Sequence, residues 1–122
     1  LLVFGAGGDR DKTKRERMGE VAAALADEVI LTSDNPRTED PAAIIVEIES
    51  GLKKTGFGRY AVIPDRKEAI VRAVDLARPA DMILVAGKGH EDYQEILGRK
   101  THFSDAEVLR EALAAKGARR HG

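Results

Sequence analysis

The sequence has 122 residues, 43% of them hydrophobic, which suits one domain with a single core and leaves little room for a second. With 20 Lys and Arg against 21 Asp and Glu the formal charge is -1, so no global field draws the chain to nucleic acid, and two Tyr and three Phe are too few for base-stacking platforms. No stretch approaches the roughly 20 apolar residues that span a bilayer, and zero Cys excludes disulfides, a thiol nucleophile and a thiolate metal site; a cytoplasmic domain is expected.

The chain opens on the apolar run Leu1-Leu2-Val3-Phe4 with no Met and no polar leader, so a fragment of something longer is expected. A first strand is predicted over 1–5, then a helix over 12–26 whose inward face is Met18, Val21, Ala22 and Leu25 at spacings of three and four. After a strand over 28–32, Pro41 begins a second helix with the stripe Ile44, Ile45, Ile48 and Leu52, weakened near its end by Gly51. A strand over 59–63 leads to a helix capped by Asp65, carrying Ala69, Ile70, Ala73, Val74 and Ala77 and stopped before Pro79. A strand over 81–87 follows, and a polar edge strand near 100–103. Ser104 with Glu107 forms a capping-box pattern before a last helix with Val108, Leu109 and Leu113 inward. Residues 1–115 make the domain and 116–122 a basic, frayed tail. The alternation of strands and helices predicts an α/β fold: a doubly wound, mostly parallel sheet of five or six strands with helices on both faces, Rossmann-like.

In such a sheet ligands bind beyond the carboxyl ends of the strands, and three loops there hold the unusual residues. Gly5-Ala6-Gly7-Gly8-Asp9-Arg10-Asp11-Lys12 offers small residues for close backbone approach to a ligand and a helix start for an anion. It is not a dinucleotide fingerprint, because Arg10 stands at the sixth position, and no P-loop exists anywhere in the chain. Its ordinary reading is a tight turn with solvated charges. In the loop after the second strand, Asp34 can accept from an ammonium, Asn35 can donate and accept, and Arg37 offers a planar fork for a carboxylate. Together they match a zwitterionic amino acid, although Asp-Asn-Pro is also an ordinary turn. In Gly87-Lys88-Gly89-His90-Glu91-Asp92-Tyr93-Gln94 the two Gly bring backbone donors and a cation to one place, and Glu91 suits a second ammonium. His90 and Glu91 are adjacent and rarely point at one ion, so no metal site is assigned, nor any catalytic residue. The runs Lys14-Arg15-Glu16-Arg17 and Arg119-Arg120 read as solvated charge.

These motifs at 7–12, 34–37 and 87–94, in this order and in these loops, resemble the last domain of the Mur ligases, in the branch that adds meso-diaminopimelate. The likeness runs from about Leu1 to about Leu113, and Asp34-Asn35-Pro36-Arg37 is its most diagnostic element, since Arg37 suits the second carboxylate that lysine lacks. The resemblance implies an ATP-driven amide ligation in which an acyl phosphate on the glutamyl carboxylate of a UDP-muramoyl dipeptide is displaced by the diaminopimelate amine. ATP and Mg2+ would be held by upstream domains, so this domain alone would bind no cofactor and would not turn over. It further implies that Arg10, Asp34, Asn35, Arg37, Gly87 and Glu91 hold diaminopimelate, with Arg10 and Arg37 on carboxylates and Glu91 on the distal ammonium, while Asp9 and Lys12 face the nucleotide. Ser33 and Ala6 depart from the usual pattern without touching that chemistry. The competing reading is a free-standing nucleotide or amino-acid binding module; a dinucleotide-dependent dehydrogenase fails on Arg10 and on the lack of an acid placed at the end of the second strand in the usual register.

Overall fold

The computed structural model describes residues 1–8, 13–88, 91–96 and 98–121. Alternation along its short strands builds two cores back to back. In β1 (Leu2–Phe4) and β2 (Val29–Leu31), Phe4, Val29 and Leu31 join one cluster and Val3 and Ile30 the other, the two-residue period of a sheet buried on both faces. β3 (Tyr60–Val62) and β4 (Leu84–Ala86) flank them, and all four strands run parallel in the order β3-β2-β1-β4. Helices α1 (Thr13–Leu25) and α2 (Pro41–Lys54) cover the first cluster, and α3 (Arg66–Leu76) and α4 (Asp105–His121) the second.

Among the described residues the expected sheet of five or six strands therefore has four. The polar strand expected at its edge is instead β6 (Arg99–His102), which pairs antiparallel with β5 (Tyr93–Ile96) in a separate hairpin. All four β6 residues are exposed, so that strand carries no apolar face with which to extend the main sheet.

The helix starts follow their caps. Asp40 accepts from the Ala42 amide with Pro41 behind it, and Asp65 accepts from the Lys67 and Glu68 amides. At α4 only half of the capping box forms: Ser104 Oγ accepts from the Glu107 amide, while the Glu107 carboxylate turns to His102. Val108 and Ala112 face inward there, and Leu113 is exposed. The segment read as a frayed tail continues α4 to His121, with the Lys116 ammonium donating to the Val74 and Ala77 carbonyls at the end of α3.

The face assigned to α1 needs correction. Arg15, Gly19 and Ala22 are buried, whereas Val21 and Leu25 are 46% and 83% exposed. The cause is a close crossing with α2: a Cβ on Gly19 would lie 2.1 Å from the Ile48 carbonyl oxygen, and one on Gly51 would lie 2.0 Å from that of Glu16. Gly51 thus permits helix contact as well as weakening its own helix. The displaced apolar side chains Val21 and Leu25 line, with Leu1, Met82 and Leu84, an open groove of about 1200 Å³ beside β1 and β4. Among the described residues no helix is long and apolar enough to cross a membrane.

Candidate functional site

The chain steps outward from β1 to β2 to β3 and then returns to place β4 on the far side of β1. Such a reversal opens a crevice at the carboxyl ends of the strands on either side of it, and the three singled-out loops meet at that end.

The first loop is packed tightly against the second. The Gly8 amide donates to the Asn35 carbonyl at 2.7 Å, and a Cβ on Gly8 would fall 1.7 Å from the Pro36 carbonyl oxygen. The small residues expected to admit a ligand admit the neighbouring loop instead. Asp9, Arg10 and Lys12, with His90 of the third loop, lie outside the described residues.

Two buried guanidinium groups fix this junction from below. Arg15, read from sequence as solvated, is 2% exposed. It holds both oxygens of Glu39 at 2.9 Å, Glu47 at 2.8 Å and the Gly7 carbonyl at 2.9 Å, so one side chain ties α1, α2 and the first two loops together. Hydrogen bonding to Glu39 above all raises its pKa still further, against the opposing effect of burial. Arg66, at the start of α3, makes a two-pronged pair with Asp105 at 2.8 and 2.7 Å and donates to the Ser33 and Ala86 carbonyls. It therefore spans the exits of β2 and β4.

The second loop borrows a strand partner from β5. The Arg37 amide donates to the Glu95 carbonyl at 3.0 Å, Gln94 Nε2 donates to the Asp34 carbonyl at 2.9 Å, and the Glu95 amide donates to Asn35 Oδ1 at 2.9 Å. An isolated bridge between Arg37 and Ile96 extends this pairing. Tyr93 and Gln94, assigned from sequence to a loop, begin this strand. Held in this way, Arg37 adopts φ 54°, the left-handed region that a non-glycine residue enters only at a cost of about 1–2 kcal/mol. Its guanidinium leans on the first loop through Nη1 to the Gly8 carbonyl at 2.9 Å.

Asp34, Asn35, Arg37, Gly87 and Glu91 thus gather around one junction. Asp34 and Asn35 are buried, Arg37 and Glu91 half-buried. Gly87 has φ 117°, and a Cβ there would lie 3.3 Å from Asp34 Oδ2, so glycine answers both the backbone and the space. Glu91 accepts from the Tyr93 hydroxyl at 3.0 Å, and that bond raises the Tyr93 pKa, which keeps the hydroxyl a donor. Lys88, the cation that the sequence places among the backbone donors of the third loop, is buried among the loops. The junction presents carboxylates suited to ammonium groups and a guanidinium suited to a carboxylate. No cluster of three or more His, Asp or Glu able to hold a metal occurs among the described residues.

Comparison with known proteins identifies the family. Residues 1–89 match the family described as Mur ligase, glutamate ligase domain. Two similar proteins are both named UDP-N-acetylmuramoyl-L-alanyl-D-glutamate--2,6-diaminopimelate ligase. One, from Syntrophomonas wolfei, is 52% identical over 95% of this chain and 24% of its own length. The other, from Chlorobium phaeobacteroides, is 56% identical over 97% of this chain and 22% of its own length. A solved structure of a ligase of the same name superposes with a TM-score of 0.88 at 46% identity, over 95% of this chain and 24% of that one. The chain spans about a quarter of the length of the curated relatives it matches. It belongs to the Mur ligases, as the C-terminal glutamate ligase domain of that family.

Proposed function

We propose that this chain is the acceptor-amino-acid domain of a cytoplasmic, ATP-dependent ligase that adds meso-diaminopimelate to UDP-N-acetylmuramoyl-L-alanyl-D-glutamate in peptidoglycan synthesis. The observation that carries the reading is Arg37, held at φ 54° between the first loop and β5, with Asp34, Asn35, Gly87 and Glu91 around it. A left-handed arginine is a cost that needs a return, and a fork aimed at a carboxylate supplies one. The names of the relatives point the same way.

In this reading Arg37 and Arg10 take the carboxylates of diaminopimelate, Asp34 and Glu91 its ammonium groups, and Gly87 leaves room beside Asp34. The domain body is residues 1–115, and Asp9 and Lys12 face the nucleotide. Pro36 fills the space beside Gly8, and the sequence has no P-loop motif to cradle a triphosphate. ATP, Mg2+ and the UDP-muramoyl dipeptide are therefore assigned to the rest of the ligase, and the domain by itself binds neither cofactor and is inactive. Its contribution is positional: it holds the attacking amine against an acyl phosphate formed elsewhere, which rewards fixed geometry.

The test is a ligase assay on the full-length protein with UDP-muramoyl dipeptide and ATP, comparing meso-diaminopimelate with L-lysine. Phosphate release with diaminopimelate alone supports the reading. Activity with lysine alone overturns the role of Arg37, and activity with neither acceptor points to a binding module without reaction.

A further inference from the structure

We infer that Lys88 is a positioning residue for the acceptor amino acid, acting through Asn35; this rests on the functional reading above. Its side chain is 0% exposed, and its ammonium donates to Asn35 Oδ1 at 3.0 Å and to the Tyr93 carbonyl at 2.9 Å. Asp34 Oδ1 lies 3.0 Å away, at ion-pair distance but outside hydrogen-bonding alignment. The Phe103 ring closes the far side, with its centroid 6.0 Å from the ammonium. A buried ammonium is costly unless such partners surround it, and the three polar ones, Asp34, Asn35 and Tyr93, come from the loop and strand that build the candidate site.

The consequence falls on the Asn35 amide. Its Oδ1 receives two donors, the Lys88 ammonium and the Glu95 amide. An oxygen with both lone pairs engaged is spent as an acceptor, and a flipped amide would turn its N–H groups against two other donors. Asn35 is thereby fixed with Nδ2 as the polar atom that these bonds leave unused, and Nδ2 can only donate. A side chain that sequence alone leaves able to donate or accept becomes a carboxylate-recognising group. Lys88 also balances Asp34, whose other oxygen lies toward Gly87. The lysine thus sorts two neighbouring polar side chains into opposite duties, Asn35 for the carboxylate and Asp34 for the ammonium.

The experiment uses the full-length ligase and measures KM for each of its three substrates, with circular dichroism confirming that each variant is folded. Lys88→Met is expected to raise the diaminopimelate KM about tenfold or more while kcat and the other two KM values stay within about twofold. Lys88→Gln keeps a donor toward Asn35 and is expected to recover most of that loss. In an Asn35→Ala background Lys88→Met should add no more than about twofold, because two residues acting through one contact are not additive. Should Lys88→Met fail to fold, Lys88→Ala, which also removes the donor toward Asn35, carries the test: a rise confined to the diaminopimelate KM supports the role, whereas a wild-type value, or a change shared by all three substrates, overturns it. An undiminished Lys88→Met effect in the Asn35→Ala background also overturns it. If the unaltered enzyme releases no phosphate with diaminopimelate, the functional reading falls and this inference with it; an active enzyme indifferent to Lys88 sinks the inference alone.

Discussion

Replacing Gly51 with alanine sets local preference against packing. In a helix interior alanine is favoured over glycine by about 0.8–1.0 kcal/mol, so the sequence of α2 taken alone predicts a gain. The fold predicts a loss, because the new methyl would sit 2.0 Å from the Glu16 carbonyl oxygen and 2.9 Å from the Glu20 nitrogen. Both are backbone atoms of α1, and neither can swing aside as a flexible side chain would. Real Cβ contacts essentially never fall below 3.0 Å, so the helices must part by 1.0 Å (3.0 Å less 2.0 Å) or more. Overpacking of this kind costs about 1–3 kcal/mol, and more where backbone must move, so the net expectation is a destabilisation of about 1–2 kcal/mol. Gly117 in α4 is the internal control, since a Cβ there meets nothing within 4 Å; Gly117→Ala should be neutral or stabilise by up to about 0.8 kcal/mol. Urea unfolding of the chain reads both changes. With a slope of about 1–2 kcal/mol/M, the Gly51 variant should lose about 0.5–2 M at the midpoint while the Gly117 variant holds or gains. A Gly51→Ala midpoint at or above that of the unaltered chain would show that the α1–α2 crossing is not as tight as described.

Three further expectations follow from the site and its frame. Arg37→Ala in the full-length enzyme should raise the diaminopimelate KM about 10- to 100-fold, and Arg37→Lys should not restore it, since an ammonium has no planar fork; Arg37→Gly should share that loss yet unfold at higher urea than Arg37→Ala, because glycine relieves φ 54°. Arg15→Met should destabilise the chain in urea by about 3 kcal/mol, the low end for a broken buried pair because Glu47 is 39% exposed; a loss below about 1 kcal/mol would return Arg15 to the solvated face that its sequence context suggests. Hydrogen bonding to Glu107 raises the His102 pKa, so the pair's contribution to stability is complete below the ordinary imidazole value and fades as pH climbs through the raised one. An NMR titration should find His102 displaced upward, and Glu107→Gln should bring it back; equal titrations in the two proteins would mean that the 2.8 Å contact does not persist in solution.

The local signals of this chain were readable where a residue type has one physical use. Pro41 and Asp65 announce helix starts because a proline's missing donor is harmless in the first turn and a carboxylate before a helix has free N–H groups to cap, and Ile44, Ile45, Ile48 and Leu52 can share a side only on a helix. The loop residues Asp34, Asn35, Arg37, Gly87 and Glu91 stood out because charge and glycine cluster beyond the strands. What stayed hidden depends on partners distant in sequence. Arg15 sits in a run that reads as solvated, and only Glu39 and Glu47, brought in by α2, justify its burial. Arg66 is likewise explained by Asp105, 39 residues on. Strand β5 has no apolar alternation; it exists because β6 and the Asp34–Arg37 loop hydrogen-bond to its two sides. The apolar side of α1 misleads because helix contact there is made by glycine, which no hydrophobic period reports.

The docking of β5 on the second loop has a consequence for how long the site stays assembled. The β5–β6 hairpin buries only Gln94 among its described residues and sends no strand into the parallel sheet. Elements with so little buried surface open far more often than the core. When this hairpin peels away, the Arg37 amide loses Glu95, Asn35 loses one of the two donors on its oxygen, and Lys88 loses the Tyr93 carbonyl, all at once. The lifetime of this loop arrangement is thus expected to be a local unfolding time, set by a few exposed hydrogen bonds and much shorter than that of the fold. A ligand that bridges Arg37 and Glu91 would staple the loop to the segment leading into the hairpin and slow that opening, so occupancy and local order would rise together.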